Sequence, residues 1–254
     1  MKLTVLGSGT AVPHPARSSP GHWLETSAGA VLLDLGPSVI FRMAQEHLDW
    51  AGLDAIWISH FHLDHIGGLA PFLFGIRHAP AIRERTKPLR IFGPAGLRDL
   101  VGKFQAANNY KLLQQTFPVE IVEIEPLEKF EILPGVEGLG IKTPHTSESL
   151  GIHLRDGGSS FFYTSDTGFD EILAVGATEA DLLLMECSFV ANKPKATHLE
   201  LAEAMHLIRR ARPKRVVLTH LYPVWDGVDL ATELQRSSPG CMVELASDGL
   251  RAEF

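Results

Sequence analysis

Hydrophobic positions along the chain follow two rhythms. The first is the short apolar run bounded by turn residues: KLTVLG (2–7), HWLETS (22–27), AVLLDL (30–35) and AIWIS (55–59) read as strands. The second is the amphipathic helical stretch: SVIFRMAQEHLDW (38–50) behind Pro37, a favourable first-turn residue, AGLRDLVGKFQAAN (95–108) after the strand-like LRIFGP, and HLELAEAMHLIRRA (198–211). The middle is mostly strand: VEIVEI (119–124), GLGIKT (138–143), LGIHLR (150–155) and SFFYTS (160–165), with DGG as the turn between the last two. ADLLLMEC (180–187) reads as a buried strand, followed by KRVVLTH (214–220), CMVELA (241–246) and LRAEF (250–254). Strands with helices in both halves predict an α/β chain: two mixed β-sheets face to face, flanked by helices, an αββα sandwich. Without a repeat, a low-complexity segment or a composition break, one domain is expected over 1–254.

Composition narrows the function classes. Of 254 residues, 45% are hydrophobic and 21% charged, enough for a substantial core, and the formal net charge of −7 disfavours a non-specific polyanion binder. The opening MKLTVLGSGT lacks the parts of a signal peptide, and no apolar run approaches the roughly 18 residues that span a bilayer. The only cysteines, Cys187 and Cys241, are expected as small buried hydrophobes. These features predict a cytoplasmic protein without a disulfide framework or membrane partner.

The chemistry concentrates in SHFHLDHIGG (59–68). His60 and His62 alternate where a strand ends, so both project to one side. Asp64 and His65 are expected in the turn before a helix that starts near Gly67–Gly68, where glycines allow close backbone approach. Imidazole and carboxylate without thiolate suit zinc, manganese or iron, and four donors are enough for parts of two sites. Further donors stand at other strand ends: His145 in TPHTS, Asp166 in YTSDTG and His220 in VVLTHLYP. His14, His22, His47, His78, His153 and His206 have no motif support and are expected in surface or core roles. The GSG at 7–9 lacks the third glycine and βαβ context of a dinucleotide loop.

The ordered set HFHLDH, TPHT, SDTG and LTHLYP resembles the metallo-β-lactamase fold superfamily over essentially the whole chain. LGSGTAVP, LLDLGP, RIFGP, ADLLLMECSF with THLELAEA, and ASDGL look most like its ribonuclease Z and phosphodiesterase branch. The resemblance implies two divalent ions, zinc foremost, with manganese or iron(II) as alternatives. His60, His62 and His145 would hold one ion and Asp64, His65 and His220 the other, with Asp166 bridging. Two cations roughly 3.5–4 Å apart stabilise both attacking and leaving oxygens. Asp64 would orient the nucleophile. His198 matches a histidine thought to protonate the leaving group, and is expected to start a helix; Glu186 matches its orienting carboxylate. Asp34 is expected to hydrogen-bond the ligand region, a role compatible with capping a helix.

The expected activity is hydrolysis of a small or cyclic phosphodiester or of RNA, and a homodimer is compatible with the resemblance. A lactonase, thioesterase or β-lactamase, or a non-hydrolytic cofactor-biosynthesis protein on the same fold, is the alternative. Departures from a tRNA-processing ribonuclease Z are the absence of a long Gly/Pro-rich insertion for a substrate-gripping arm and THLE in place of HST. The stretch with Arg83, Arg85, Lys87 and Arg90 is expected to be a solvated loop rather than an RNA patch.

Overall fold

The computed structural model describes residues 1–254, the side chain of Arg236 excepted. Its first sheet has the order β14-β1-β2-β3-β4-β5-β6, formed by β1 (Lys2–Gly7), β2 (Gly21–Thr26), β3 (Gly29–Leu33), β4 (Ala55–Trp57), β5 (Leu89–Pro94), β6 (Val119–Ile124) and β14 (Arg251–Glu253). The second has the order β13-β12-β11-β10-β9-β8-β7, formed by β7 (Lys129–Leu133), β8 (Val136–Lys142), β9 (Leu150–Asp156), β10 (Ser159–Tyr163), β11 (Leu182–Glu186), β12 (Arg215–Thr219) and β13 (Met242–Leu245). Each sheet is antiparallel at one end and parallel at the other, β3 to β6 and β10 to β13. Parallel neighbours need crossovers, and helices supply them.

Those helices form the outer layers: α1 (Val39–Gln45), α2 (Leu63–Ile66), α3 (Leu69–Ile76) and α4 (Leu97–Ala106) in the first half, then α5 (Ile172–Gly176), α6 (Leu201–Ala211) and α7 (Leu230–Ser237). Strands alternate their side chains between layers. Leu182 and Leu184 of β11 join the core between the sheets, while Leu183 and Met185 pack against α5 and α6. Burial on both faces explains why LLLM is apolar without interruption.

The structure departs from the sequence reading at several boundaries. The first helix stops at Gln45 rather than Trp50; His47 turns left-handed (φ 55) and a single 3-10 turn follows at Trp50–Gly52. Asp64 and His65 lie ahead of the helix α3 capped at Gly68, as expected, but the turn that carries them is itself helical, α2. Gly36 and Gly68 let that turn press on the loop after β3, since a Cβ on Gly68 would meet the Gly36 carbonyl at 2.5 Å. Helix α6 begins at Leu201 behind a Glu200–Glu203 capping box, so His198 precedes the helix instead of starting it. Asp34 caps no helix, because Ser38 holds the N-cap position of α1. Elements β7, α5 and α7 were not expected.

Candidate metal centre

The residues singled out at strand ends converge. Asp34 follows β3, the His60–His65 segment follows β4, and His145, Asp166, Glu186 and His220 stand at or just past the ends of β8, β10, β11 and β12. This is the carboxyl-end crevice that open α/β sheets offer to ligands. Asp34, Ser165 and His220 reach it by left-handed turns (φ 58, 55 and 58), a conformation that costs non-glycine residues about 1–3 kcal/mol each.

Asp166 organises the cluster. Its Oδ1 lies 3.2 Å from His65 Nε2 and 3.3 Å from His220 Nε2, and both nitrogens lie within 3.7 Å of Asp64 Oδ2. Its Oδ2 faces the other way, 3.5 Å from His145 Nε2 and 3.9 Å from His60 Nε2, with His62 Nδ1 3.0 Å from His145 Nε2. Two donor groups thus meet the two oxygens of one carboxylate. All seven sequence-selected donors belong to one group or the other.

The donor set fits cations. Nε2 of His60, His65 and His220 and Oδ1 of Asp166 are buried and have no hydrogen-bond partner. Buried polar atoms are normally paired, so four orphaned atoms aimed at one another call for a positive charge between them. Tetrahedral bonding at 2.0–2.1 Å would separate neighbouring donors by about 3.4 Å, within the spacing seen. The nitrogen-rich, thiolate-free set suits a divalent transition metal.

Hydrogen bonds behind the ligands fix which ring nitrogen faces inward. Asp34 is fully buried and accepts from Ser59 N, Ser59 Oγ and Tyr163 Oη, each at 2.8 Å, and from His65 Nδ1 at 2.7 Å. Ser59 Oγ, having given its proton to Asp34, accepts from His60 Nδ1 at 3.0 Å. His145 Nδ1 donates to the Thr197 carbonyl at 2.9 Å. In the neutral ring each bond leaves Nε2 with its lone pair toward the cluster. Sequence reasoning missed Ser59, Tyr163 and Thr197; Ser59 sits inside the quoted motif, but nothing in the string says that its hydroxyl reaches two partners.

Charge follows the same geometry. Burial alone would lower the His65 pKa, yet Asp166 and Asp34 hold it well above the ordinary value. Burial, followed by repulsion from His65, holds His60 well below. Burial opposes the charge of Asp166, and His220 and His65 outweigh it, keeping the carboxyl well below its usual range.

Beside this cluster, His198 Nδ1 lies 2.8 Å from Glu186 Oε1. Burial pushes the imidazole pKa down, but the hydrogen bond and charge of Glu186 prevail and raise it. A third grouping, Asp166, His198 and His220, also has its ligand atoms within 4.8 Å. The other histidines stay out: His14 pairs with Asp226, His153 with Ser160 and His206 with Glu171. His22 is buried without a hydrogen-bond partner, and the ring of His78 lies edge-on to Phe74. The basic stretch is tied down, since Arg85 donates to the carbonyls of Ala51, Leu53, Lys87 and Pro88, and Lys87 pairs with Asp54. Among the described residues no helix is long and apolar enough to cross a membrane.

Comparison with known proteins agrees with this architecture. Residues 30–221 match the β-lactamase superfamily domain. The probable metallo-hydrolase YhfI of Bacillus subtilis is 26% identical over 223 residues, 87% of this chain and 87% of its own. A ribonuclease Z of Mycobacterium bovis is 26% identical over 244 residues, 88% of this chain and 86% of its own. The crystal structure of the short form of human tRNase Z superposes with a TM-score of 0.80 at 22% identity, covering 100% of this chain and 99% of the other. With its fold, its convergent donors and this match over most of its length, the chain belongs to the metallo-β-lactamase superfamily.

Proposed function

We propose that the protein is a di-metal phosphodiesterase acting on a small or cyclic phosphodiester or on RNA. The observation that carries this reading is the pair of donor groups facing the two oxygens of Asp166. His60, His62 and His145 would hold one divalent ion and Asp64, His65 and His220 the other, with Asp166 shared. Zinc is the best match to the nitrogen-rich set. When bound, two such ions supply electrostatic stabilisation of the attacking and leaving oxygens.

The chain's own residues supply the remainder. Asp64, half-buried at the edge of its donor group, accepts a hydrogen bond from the attacking water and aims it. Glu186 holds the His198 proton on Nδ1, which leaves His198 Nε2 to carry the proton that a departing alkoxide takes up. That pair favours phosphodiesters over β-lactams, because an alkoxide gains most from a protonated imidazole. The names of the relatives, a metallo-hydrolase and a ribonuclease Z, support the same class.

The test is a side-by-side assay of bis-p-nitrophenyl phosphate, a cyclic nucleotide, a precursor transfer RNA, a lactone and nitrocefin with zinc- or manganese-loaded protein. Turnover of at least one phosphodiester is expected. Rapid nitrocefin or lactone turnover with every phosphodiester inert would overturn the proposal.

A further inference from the structure

Glu186 is completely buried and has more partners than its bond to His198 requires. Oε1 accepts from the Thr167 backbone at 2.9 Å, and Oε2 accepts from the backbones of Ser188 at 3.1 Å and Leu199 at 3.3 Å. The Ser188 hydroxyl donates to Oε2 at 2.6 Å. That hydroxyl also lies 2.9 Å from His220 Nδ1.

The proton count decides the direction of that last contact. A serine hydroxyl has one hydrogen, and a carboxylate surrounded by backbone N–H groups only accepts. The Ser188 proton therefore belongs to Glu186, and only lone pairs remain for His220. His220 Nδ1 must carry the hydrogen and donate it, which in the neutral ring leaves Nε2 bare toward Asp166 and Asp64. The His198 and His220 rings lie nearly parallel, 14° apart with centroids separated by 5.4 Å. The Asp34–Ser59 unit treats His65 and His60 in the same way, one directly and one through the serine.

We infer that Ser188 is a positioning residue that sets the ring tautomer of His220 for metal binding, so that Glu186 orients a metal ligand as well as the acid His198. This rests on the di-metal reading above. Removing the hydroxyl leaves His220 Nδ1 without an acceptor and frees the ring to place its proton on Nε2, against the cation. Partners behind a ligating histidine are typically worth about 10- to 100-fold in metal affinity.

The experiment titrates apo full-length protein with Zn²⁺ by calorimetry for wild type, Ser188→Ala and Ser188→Thr, and records imidazole ¹⁵N spectra of the apo forms. Ser188→Ala should weaken one of two binding steps about 10- to 100-fold and leave the other unchanged, while Ser188→Thr restores it. The wild-type His220 spectrum should show the Nδ1–H form, and Ser188→Ala a mixture. Unaltered affinity at both steps in Ser188→Ala would overturn the inference, as would an Nε2–H form of His220 in wild type. The wild-type spectrum decides even if the variant does not fold. A wild type that takes up no Zn²⁺ would instead sink the di-metal reading, and the spectrum would still judge the serine.

Discussion

Asp34 and Glu186 occupy corresponding posts in the two halves of the molecule. Each is a fully buried carboxylate at the end of a parallel strand, and each grips one histidine directly and a second through a serine hydroxyl. Their surroundings differ. Behind Asp34 the Tyr163 hydroxyl closes the shell, and His65 is sealed, with Nε2 3.2 Å from Asp166. His198, on Glu186, keeps 7% of its surface exposed, and its ligand atom lies within 4.8 Å of those of Asp166 and His220. In the proposed roles the same hydrogen-bond logic serves a metal ligand, His65, through Asp34 and a proton donor, His198, through Glu186.

Asp166→Ala removes the reference point of the comparison and should have the largest effect. Both donor groups lose a member, so metal affinity should fall by more than about 100-fold and activity with it, as metal analysis would show. Retention of full metal content would dissolve the distinction between the halves.

His198→Ala against His62→Ala sharpens it. Loss of the acid should leave metal content nearly unchanged yet slow an alkyl phosphodiester by roughly 10²–10⁴-fold, with a much smaller effect on a p-nitrophenyl ester. His62→Ala should lose metal and slow both substrates together. Equal losses on the two leaving groups for His198→Ala, or loss of metal, would make His198 a ligand and erase the difference.

Carboxylate-to-amide changes should split along the same line. Asp34→Asn should cost about 10- to 100-fold in metal affinity with little dependence on leaving group. Glu186→Gln should show leaving-group dependence in addition, measurable as the ratio of alkyl to p-nitrophenyl ester rates. Matching ratios for the two variants would contradict the assignment.

The smallest effect concerns what backs the Asp34 side. His22 packs edge-on against Tyr163, 5.2 Å between centroids, and burial together with the charges of His65 and His220 lowers its pKa to about 3. Unfolded, it titrates near ~6.5, so between that value and about 3 the unfolded chain binds the extra proton. Its contribution is complete above the unfolded value and declines as pH falls through that window, by at most about 1.4 kcal/mol per pH unit. His22→Leu should reduce the loss of urea resistance between pH 7 and pH 5; an unchanged difference would show that His22 does not titrate this way.

Much of this was legible in the sequence because the donors lie in contiguous or strand-end motifs. HFHLDH announces itself in one string, and TPHT, SDTG and LTHLYP each follow an apolar run that had to be a strand. Less regular segments hid their structure. KFEIL alternates charge with apolar residues in only five positions, ILAVG makes barely more than one helical turn, and LDHI is too short to display a helical period. The left-handed turn at His47 that ends the first helix leaves no signature in an otherwise helical pattern. Ser59 and Ser188 were printed inside quoted motifs, but a hydroxyl that links a carboxylate to a histidine is defined by distances that only the folded chain brings about.

Anomalous diffraction from zinc-loaded crystals would locate the ions themselves. Two peaks are expected, one among His60, His62 and His145 and one among Asp64, His65 and His220, with Asp166 touching both. A single peak, or one held by Asp166, His198 and His220, would contradict this arrangement.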